Sequence, residues 1–435
     1  MKIGLEIHVS LPTKSKLFCG CSNSATEPNS ALCEVCMGLP GSKPVLNKGA
    51  LTIAKRIAEA LRMRINEKTS FVRKVYFYPD LPKSYQITQL DEPIGTSGHV
   101  DIDGKQIHIR RIQLEEDPAK IVRGDDYTLI DFNRSGRPLV EIITEPEIAS
   151  EEELRGFIAE LRSILYYCDV DINEEMKTDL NISGIDSEKG ERVEVKNITG
   201  IAGLTGALRY EITRQSELAR KGTRVERETR SYNETEMRTV SMRKKETEEE
   251  YGLIYDADLT EYDLSRVNSE KPIIASKVVQ EYASKYGFDP KILLELIMLS
   301  KESLSLVEAS KGKYPAQAIT AGIEYLKKYD KIDISKDSFN SLLNLIEKKG
   351  MVNKETIEKI ERGEKVESYS GISDEELERT IESMINEKSI LLKEYEKNKK
   401  VFNFIVGKVA KEKNLDPRYV SEKLNKVLSE KFGLI

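Results

Sequence analysis

VDIDGKQIHIR (residues 100–110) is the stretch that best indicates the kind of fold. Apolar and polar residues alternate over Val100–Asp103 and again over Ile107–Arg110, which is the pattern of half-buried strands. Asp103-Gly104 between them is a signal for a tight hairpin turn. The stretch therefore predicts an antiparallel β-hairpin within the first part of the chain.

The rest of the chain divides into a mixed part and a helical part. Up to about residue 265, short alternating runs are interspersed with helical apolar spacing over Leu51–Leu61 and Glu152–Leu165. Ser150 is a predicted N-cap, with Glu153 three residues on completing a capping box. From about residue 270 only amphipathic helices are predicted. They include residues 291–299, 316–326, 337–348 and 374–385, and two or three more over 388–432.

Composition limits the classes of protein that need to be considered. The chain has 435 residues, of which 33% are charged, and a formal net charge of −6. This length corresponds to about two to four domains. No apolar run approaches the roughly 18 residues of a transmembrane helix, and the N-terminus lacks the apolar region of a signal peptide. We therefore expect a cytoplasmic protein with no membrane partner.

Two short acidic motifs suggest a metal site. They are Gly4–His8 and Leu114–Asp117, and the second contains three adjacent carboxylates that repel each other unless solvated or neutralised by a cation. Mg²⁺ prefers oxygen-rich clusters and often bridges to substrate phosphates. If the fold brings the motifs together, they form a site for phosphoryl transfer. The alternative for each motif alone is a solvated strand edge with charged tips.

Four of the five cysteines lie close together in the pattern C-x-C-x11-C-x2-C: Cys19, Cys21, Cys33 and Cys36. Disulfides are rare in the cytosol, and two chelating pairs can supply four thiolates to a tetrahedral zinc ion. We predict a structural zinc site with no catalytic role. Reduced unliganded cysteines and an iron–sulfur cluster are the alternatives. Cys168 lies in an apolar run and is predicted to be a core thiol.

YFYPDLPKSYQITQ (residues 76–89) combines aromatic rings, two prolines and several hydrogen-bond donors. A core strand would avoid the prolines, whereas aromatics beside donors suit a nucleotide or the terminal adenosine of an RNA. The alternative is a proline-bent loop packed on its own tyrosines. Downstream, residues 131–141 place Arg134, Arg137 and an acid around a glycine turn, and arginine forks match phosphate oxygens.

Two later stretches are predicted to be strands with one polar face. In residues 179–183 alternation places Asp179 and Asn181 on the same face, and in residues 194–197 it does so for Glu194 and Lys196. For each pair the alternative is a half-buried strand with its wet side outward.

Taken together, these stretches resemble GatB, the transferase subunit of the tRNA-dependent amidotransferase that acts on Asp-tRNA(Asn) and Glu-tRNA(Gln). The resemblance covers nearly the whole chain, and the aromatic stretch is its most specific part. The cysteine quartet is similar to a zinc element found in many members and missing in others. The matching stretches are residues 4–8, 76–89, 114–120, 131–141, 179–183, 194–197, 228–230 and 242–243.

The resemblance implies an α+β protein with three domains. They are a mixed α/β, cradle-like catalytic domain over residues 1–268 with the zinc element at 19–36, a helical linker domain over 269–368, and a helical tRNA-binding tail over 369–435. It further implies that ATP phosphorylates the side-chain carboxylate of misacylated Glu-tRNA(Gln) or Asp-tRNA(Asn), and that ammonia then displaces the phosphate. The implied partners are an amidase subunit, which releases ammonia from glutamine, a small third subunit that braces the other two, and tRNA.

The resemblance also implies roles for particular residues. Asp179 is a further ligand or lies beside the ligands, and Arg134 is a candidate phosphate contact. The residues implied around Mg²⁺ are Glu6, His8, Glu115, Glu116 and Glu141. Those implied to line the ATP and substrate pocket are Lys83, Tyr85 and Gln86.

One stretch departs from the family. After residues 242–243 the family usually has Tyr-Arg-Tyr-Phe-Pro and an acidic pair, whereas this chain has YGLIYDAD (residues 251–258) without the arginine and the proline. Asp256 and Asp258 are therefore left out of the predicted site. The archaeal paralogue GatE, which works with an asparaginase-like partner, normally carries a large inserted domain that has no counterpart in this sequence. A zinc-stabilised tRNA-binding protein without catalysis is the third hypothesis, and the acidic motifs argue against it.

The last stretch is basic although the whole chain is acidic. Residues 397–431 contain ten Lys or Arg and four Asp or Glu. Phosphate backbones attract such a patch without base-specific contacts. The apolar residues there recur at helical spacing, which predicts a small packed module. The resemblance implies that this module grips the tRNA. The alternative is an ordinary lysine-rich solvated face.

Overall fold

The computed structural model describes residues 1–170, 176–184, 191–244, 252–290, 293–294, 301–310, 313–348, 352–364, 374–387, 399–413, 415 and 417–432. The chain forms two compact units, Met1–Ala275 and Ser276–Ile435. The first is mixed α/β around a nine-stranded sheet, and the described elements of the second are helices. The predicted succession of a mixed part and a helical part is confirmed. The predicted division of the helical part between residues 368 and 369 stays a prediction.

The first unit contains sixteen strands and four α-helices among its described residues. The strands are β1 (Lys2–Ser10), β2 (Arg64–Ile65), β3 (Lys68–Thr69), β4 (Val72–Val75), β5 (Tyr85–Thr88), β6 (Gly95–Ile102), β7 (Lys105–Glu116), β8 (Lys120–Arg123), β9 (Thr128–Asp131), β10 (Pro138–Thr144), β11 (Lys177–Ser183), β12 (Val193–Thr199), β13 (Glu228–Asn233), β14 (Arg238–Lys244), β15 (Gly252–Tyr255) and β16 (Tyr262–Asp263). The helices are α1 (Glu34–Met37), α2 (Lys48–Ala60), α3 (Glu151–Tyr167) and α4 (Gly200–Arg220), and a 3₁₀ turn spans Leu264–Arg266.

The large sheet has the strand order β14-β13-β12-β11-β1-β10-β7-β6-β2. Strand β1 lies at its centre, antiparallel to both β10 and β11. The predicted hairpin is confirmed: β6 and β7 pair with Val100 opposite Ile107. Asp103 and Gly104 at its turn both have positive φ angles, 48° and 83°, as a two-residue turn of type I′ requires. Three smaller sheets, β15-β4-β5, β16-β3 and β8-β9, complete the unit.

The two faces of the central strands differ in character because successive side chains of a strand point to opposite sides. Ile3, Leu5, Ile7 and Val9 of β1 are all buried in one large apolar core. Helices α2, α3 and α4 pack on the sheet and contribute to that core. Burial of each such aliphatic side chain contributes about 1.5–3 kcal/mol. The intervening positions of β1, including Glu6 and His8, therefore lie on the opposite, polar face.

The predicted helices at residues 51–61 and 152–165 are confirmed, with small extensions in α2 and α3. Ser150 caps α3 as expected, because its hydroxyl accepts from the Glu153 N–H at 3.1 Å. The Glu153 carboxylate accepts instead from the Ala149 N–H at 2.9 Å. The reciprocal bond of a capping box, to the N–H of Ser150 itself, is therefore shifted by one residue.

The described helices of the second unit are α5 (Ala275–Tyr286, which begins at the boundary), α6 (Lys301–Ser310), α7 (Ala316–Lys328), α8 (Lys336–Glu347), α9 (Lys354–Glu361), α10 (Asp374–Glu387), α11 (Lys399–Lys413) and α12 (Pro417–Val427), with a π-helical turn at Leu428–Phe432. The predicted helices at 316–326, 337–348 and 374–385 are confirmed. Most of the helix predicted at 291–299 lies outside the described residues. Helices α10, α11 and α12 share an apolar core of their own. Among the described residues, no helix is long and apolar enough to cross a membrane.

Candidate active site on the polar face of the sheet

A first acidic group lies where β1, β10 and β7 run side by side. His8 pairs with Glu141 in the register of β1 and β10, and Glu115 projects from the next strand. The His8 Nε2 atom lies 3.1 Å from Glu115 Oε1 and 3.5 Å from Glu141 Oε1. One ligand atom from each of these three residues lies within 4.8 Å of the others, a spacing that could hold a metal ion.

A second acidic group lies on the same face of the sheet, where β1 pairs with β11 instead of β10. Glu6 pairs with Asp179 of β11, and Glu194 of β12 completes a set whose oxygens lie within 4.8 Å of one another. The Lys196 Nζ atom lies 3.2 Å from Asp179 Oδ2 and 3.1 Å from Glu194 Oε1. The Asn181 amide donates to Glu6 Oε1 at 3.0 Å. The predicted shared faces of residues 179 and 181 and of residues 194 and 196 are confirmed.

The two groups hold more negative charge than the nearby cations neutralise. Burial, followed by the charges of Glu141, Glu194 and Asp179, raises the pKa of Glu6. Burial alone would lower the pKa of His8, but the charge of Glu115 and hydrogen bonds with Glu115 and Glu141 outweigh it, so that this pKa is raised well above its usual value. The two carboxylates therefore favour the protonated form of His8, and a metal ion bound by His8 would have to displace that proton.

Glu116 lies apart from both acidic groups. As the strand neighbour of Glu115, it points to the other side of β7, where Lys83 Nζ donates to both of its carboxylate oxygens at 2.6 Å. The Ile87 N–H also donates to Glu116 Oε2 at 3.0 Å, and the Gln86 side chain donates to the Glu116 carbonyl at 2.7 Å. Both side chains of the Lys83–Glu116 ion pair are only 6% exposed.

Tyr85 lies between two cations. Its ring centroid is 4.7 Å from the Arg73 guanidinium and 5.2 Å from Lys83 Nζ, which is within the range of cation–π interactions. Arg73 is held by the fully buried Asp256 through bonds of 2.9 and 3.1 Å and by Asp258 at 3.1 Å. The segment that departs from the family thus supplies the acids that fix Arg73 over Tyr85.

The loop between β4 and β5 presents aromatic rings to solvent. Phe77 is 85% exposed and Tyr78 is also exposed, whereas Tyr76 and Tyr85 are half-buried, so the alternative of a loop packed on its own tyrosines does not hold for Tyr78. Behind the loop, the Gln89 side chain accepts from the Leu114 N–H at 2.8 Å. This bond and that from Gln86 to Glu116 attach β5 to β7 next to the acidic residues.

The two arginines near the glycine turn have different surroundings. The Arg134 guanidinium donates to the carbonyls of Pro118 at 2.8 Å and Ala119 at 2.6 Å, and lies 3.5 Å from Asp117. Arg137, immediately before β10, has a buried Nε atom that lacks a hydrogen-bond partner within the described part of the chain. Burial raises the pKa of Asp117, while the charges of Arg134, Lys177 and Arg137 oppose this shift. Arg137 is therefore the better placed of the two for an added anion.

The four clustered cysteines come together, each with its Sγ within 4.8 Å of the others. Cys33 is the N-cap of helix α1 and Cys36 lies within that helix, and the Cys33 N–H donates to the Cys36 sulfur at 3.2 Å. Hydrogen bonds from the Cys19 thiol and from that N–H, with the charge of Lys16, lower the pKa of Cys36 to about 5 against the effect of burial. Cys168 is buried in the main core, as predicted.

The structure adds several residues to this region that the sequence analysis did not include in the predicted site. Alternation places Glu194 and Lys196 on one strand face, but nothing in the sequence indicates that β12 lies beside the β11–β1 pair. Arg73 and Asp256 are far apart in the chain, so only the fold reveals their pairing. The sequence could, however, have indicated that Glu115 and Glu116 point to opposite faces, because they are neighbours in a strand.

Comparisons with known proteins agree with these observations. The family described as "GatB/GatE catalytic domain" matches residues 1–270. The aspartyl/glutamyl-tRNA(Asn/Gln) amidotransferase B subunit of Saccharolobus solfataricus is 38% identical, with 100% of both chains covered. The protein of the same name from Methanospirillum hungatei is 37% identical over 99% of this chain and 98% of its own. That from Methanoregula boonei is 46% identical over 59% of this chain and 56% of its own.

The family match over residues 1–270 identifies the domain that contains the large sheet and its acidic face as a GatB/GatE catalytic domain. The chain therefore belongs to the GatB/GatE family. Within that family, the relatives that align over the whole chain carry the name of the B subunit. The predicted resemblance to GatB, rather than to its paralogue GatE, is confirmed.

Proposed function

We propose that this chain is the transferase subunit of a tRNA-dependent amidotransferase, a ligase that forms carbon–nitrogen bonds with glutamine as amide donor. It uses ATP to phosphorylate the side-chain carboxylate of Glu-tRNA(Gln), Asp-tRNA(Asn) or both, and ammonia then displaces phosphate to leave the amide. The observation that carries this proposal is the pair of acidic groups on the central strands of a GatB/GatE-type sheet.

The acidic face has the donor set that Mg²⁺ requires. Glu115 and Glu141 would hold the ion in the first group, together with His8 once it has lost its proton, and Glu6 and Asp179 would lie beside it in the second. Asn181 Oδ1 is a buried acceptor without a hydrogen-bond donor among the described residues, and Asn181 is only 8% exposed. Such unpaired oxygens, together with the raised pKa of Glu6, fit an added cation. When bound, Mg²⁺ would align phosphate groups and neutralise their charge.

The protein's own residues bind and orient the substrates. Lys83 and Tyr85 line the pocket for ATP and the charged end of the tRNA, and Gln86 fastens their strand to β7. We assign Glu116 to holding Lys83 rather than the cation, because both of its oxygens are bound by the ammonium group. The exposed Phe77 and Tyr78 offer surfaces on which an adenine ring can stack.

We further propose a zinc ion in the cysteine cluster. Four sulfurs within 4.8 Å of one another form a soft, closed donor set of the kind that structural zinc occupies. The lowered pKa of Cys36 favours a thiolate at one of the four positions. None of the five cysteines, all of which lie in the described part of the chain, forms a disulfide.

The proposed partners are an amidase subunit, a small third subunit and tRNA. A chain that phosphorylates a carboxylate still needs ammonia, and the proposed source is glutamine hydrolysis on the amidase. Copurification of this chain with an amidase from its own source tests the partnership. Isolation of an asparaginase-type partner instead would favour the GatE alternative.

The decisive experiment measures ATP use that depends on charged tRNA. The assembled complex should release ADP only with Glu-tRNA(Gln) or Asp-tRNA(Asn), and should yield the amide when glutamine is added. Glu141→Gln should reduce this release by about 100-fold or more. Glu147→Gln, which removes a carboxylate bound to the exposed His108, is the matched control. ADP release without dependence on charged tRNA, or equal activity of the two variants, would refute the proposal.

A further inference from the structure

The backbone at Gly38, next to the cysteine cluster, packs closely against Lys83. Gly38 ends α1 with a φ angle of +69°. A methyl group added at Gly38 would lie 2.7 Å from Lys83 Cγ and 3.1 Å from both Cα and Cβ of Lys83. The Cα atom belongs to the backbone, so rotation of the lysine side chain could not relieve this contact. Gly38 therefore sets how closely residues 33–38 and the loop carrying Lys83 approach.

The contact matters because Lys83 has a defined position. Its ammonium group binds both carboxylate oxygens of Glu116 at 2.6 Å and lies 5.2 Å from the ring centroid of Tyr85. Glu116 immediately follows Glu115 of the first acidic group. A displacement of Lys83 would therefore be transmitted to the edge of the acidic site and to the ring of Tyr85.

A second segment next to the cysteine cluster lies near Glu116. Lys16, which is fully buried, donates from Nζ to the Phe132 carbonyl at 3.2 Å, and its N–H donates to the Cys21 carbonyl at 3.0 Å. A methyl group at Gly136 would lie 3.5 Å from both Lys16 Cδ and Glu116 Oε1. The chain before Cys19 thus lies near Glu116, and the chain after Cys36 lies near Lys83.

We propose that the cysteine cluster, residues 19–36, positions Lys83 for ATP use through Gly38. The folded cluster holds the turn that ends at Gly38, and Gly38 holds Lys83 against Glu116. Lys83 is the group that contacts substrate, and Gly38 is a positioning residue. The inference rests on the proposed function for the role of Lys83, but the contact itself can be tested without any assay of activity.

The test compares Gly38→Ala with Gly41→Ala in the full-length chain within its complex. Both glycines have positive φ angles, +69° and +87°, but a methyl group at Gly41 meets nothing within 4 Å. The two variants therefore share the backbone strain and differ in the contact with Lys83. The first readout is labelling of Lys83 by an amine reagent, quantified by peptide mass spectrometry. The exposed Lys43, whose side chain is 77% exposed, serves as the internal reference.

Gly38→Ala should increase the labelling of Lys83 relative to Lys43 by about tenfold, and Gly41→Ala should leave it unchanged. The KM for ATP in tRNA-dependent hydrolysis should rise about 10-fold to 100-fold in Gly38→Ala alone, since small displacements of positioning groups have effects of that size. If Gly38→Ala does not fold, Cys33→Ser provides a second perturbation, because it loosens the same turn without adding an atom near Lys83.

Unchanged labelling of Lys83 in a folded Gly38→Ala or Cys33→Ser variant would overturn the proposal. Equal labelling in Gly38→Ala and Gly41→Ala would also overturn it, because strain at any positive φ would then suffice. If Lys83 becomes reactive in Gly38→Ala but the complex never hydrolyses ATP with charged tRNA, the positioning holds and the proposed function fails.

Discussion

The environment of each arginine near the glycine turn decides which one is available to substrate. Arg134 uses its donors on the carbonyls of Pro118 and Ala119, whereas Arg137 has a buried Nε without a hydrogen-bond partner among the described residues. A guanidinium already bound to backbone carbonyls stabilises a turn, while one with an unsatisfied donor can bind a phosphate. We therefore propose residue 137 as a phosphate contact in addition to residue 134, whose predicted contact remains to be tested.

Arg137→Ala should raise the KM for ATP about tenfold or more, because a hydrogen bond to a charged group contributes about 1.5–3 kcal/mol. Its melting temperature should stay close to that of the unchanged chain. Arg134→Ala should show the reverse, with a lower melting temperature and a smaller change in KM. Thermal unfolding and steady-state ATP hydrolysis of the two variants measure this difference. A rise in KM confined to Arg134→Ala would instead identify Arg134 as the phosphate contact.

Glu211 of α4 is the clearest case of a buried charge with a structural role. It is fully buried and binds Arg214 at 2.8 Å, Arg230 at 3.2 Å and Gln215 at 2.8 Å. Burial alone would raise the pKa of Glu211, but the hydrogen bonds and charge of Arg214, with bonds from Gln215 and Thr239, lower it. A carboxyl whose pKa is lower in the folded state stabilises the fold above its unfolded-state pKa. That stabilisation disappears as the pH falls through the folded-state value.

Glu211→Gln should lower the free energy of unfolding near neutral pH by about 3 kcal/mol, because it removes a fully buried counterion of Arg214 and Arg230, which then share only Glu228. The loss should shrink as the pH falls below the usual range of glutamate, where the unchanged chain also loses this charge. Denaturant unfolding at several pH values measures the effect. Glu236→Gln, at the exposed pair with Arg238, is the control and should change stability little. An effect of Glu211→Gln that did not depend on pH would contradict the assignment.

Local patterns predicted the elements well, and the arrangement of those elements poorly. The Asp103-Gly104 turn and the alternation on either side were sufficient for the β6–β7 hairpin, because both signals are local. The central place of β1 depends on pairing with β10 and β11, which follow it by more than a hundred residues. No local pattern fixes such pairing. The resemblance, rather than a local pattern, supplied the predicted metal-site set of Glu6, His8, Glu115, Glu116 and Glu141. It could indicate neither the two separate acidic groups nor the pairing of Glu116 with Lys83.

The cysteine cluster is an element whose folding should depend on its ion. We expect about one zinc per chain. Cys33→Ser should lower both the zinc content and the melting temperature, because three thiolates hold the ion less tightly than four. Cys168→Ser, at a cysteine buried in the main core, is the matched control and should leave the zinc content unchanged. Metal analysis by mass spectrometry and thermal unfolding measure both quantities. A native chain without zinc would contradict the metal assignment.

Across the whole molecule, charge is distributed unevenly. The net charge is −6, yet residues 397–431 carry an excess of basic residues. Most of the described apolar residues of this stretch are buried in the shared core of α10, α11 and α12, although Phe404 is 50% exposed. Lys408, Lys411 and Lys426 are exposed. Deletion of residues 370–435 would remove this core and also the contact of Arg418 with the Tyr325 ring at 4.8 Å, so substitution of surface lysines is the cleaner test.

A triple variant with Lys408→Gln, Lys411→Gln and Lys426→Gln should bind tRNA more weakly and with less dependence on salt. Each lysine that neutralises a phosphate releases about 0.7–0.9 counterion, so the slope of log K against log salt should fall by about two to three. Binding measured by filter retention or anisotropy at several salt concentrations gives this slope. The matched control replaces three exposed lysines on α8, on α9 and near the end of α7, Lys336, Lys354 and Lys327, by glutamine. Both variants lose the same net charge, so equal slopes would mean that tRNA binding depends only on the total charge. A smaller slope only in the variant at residues 408, 411 and 426 would mean that the phosphate backbone of the tRNA binds to the last helices.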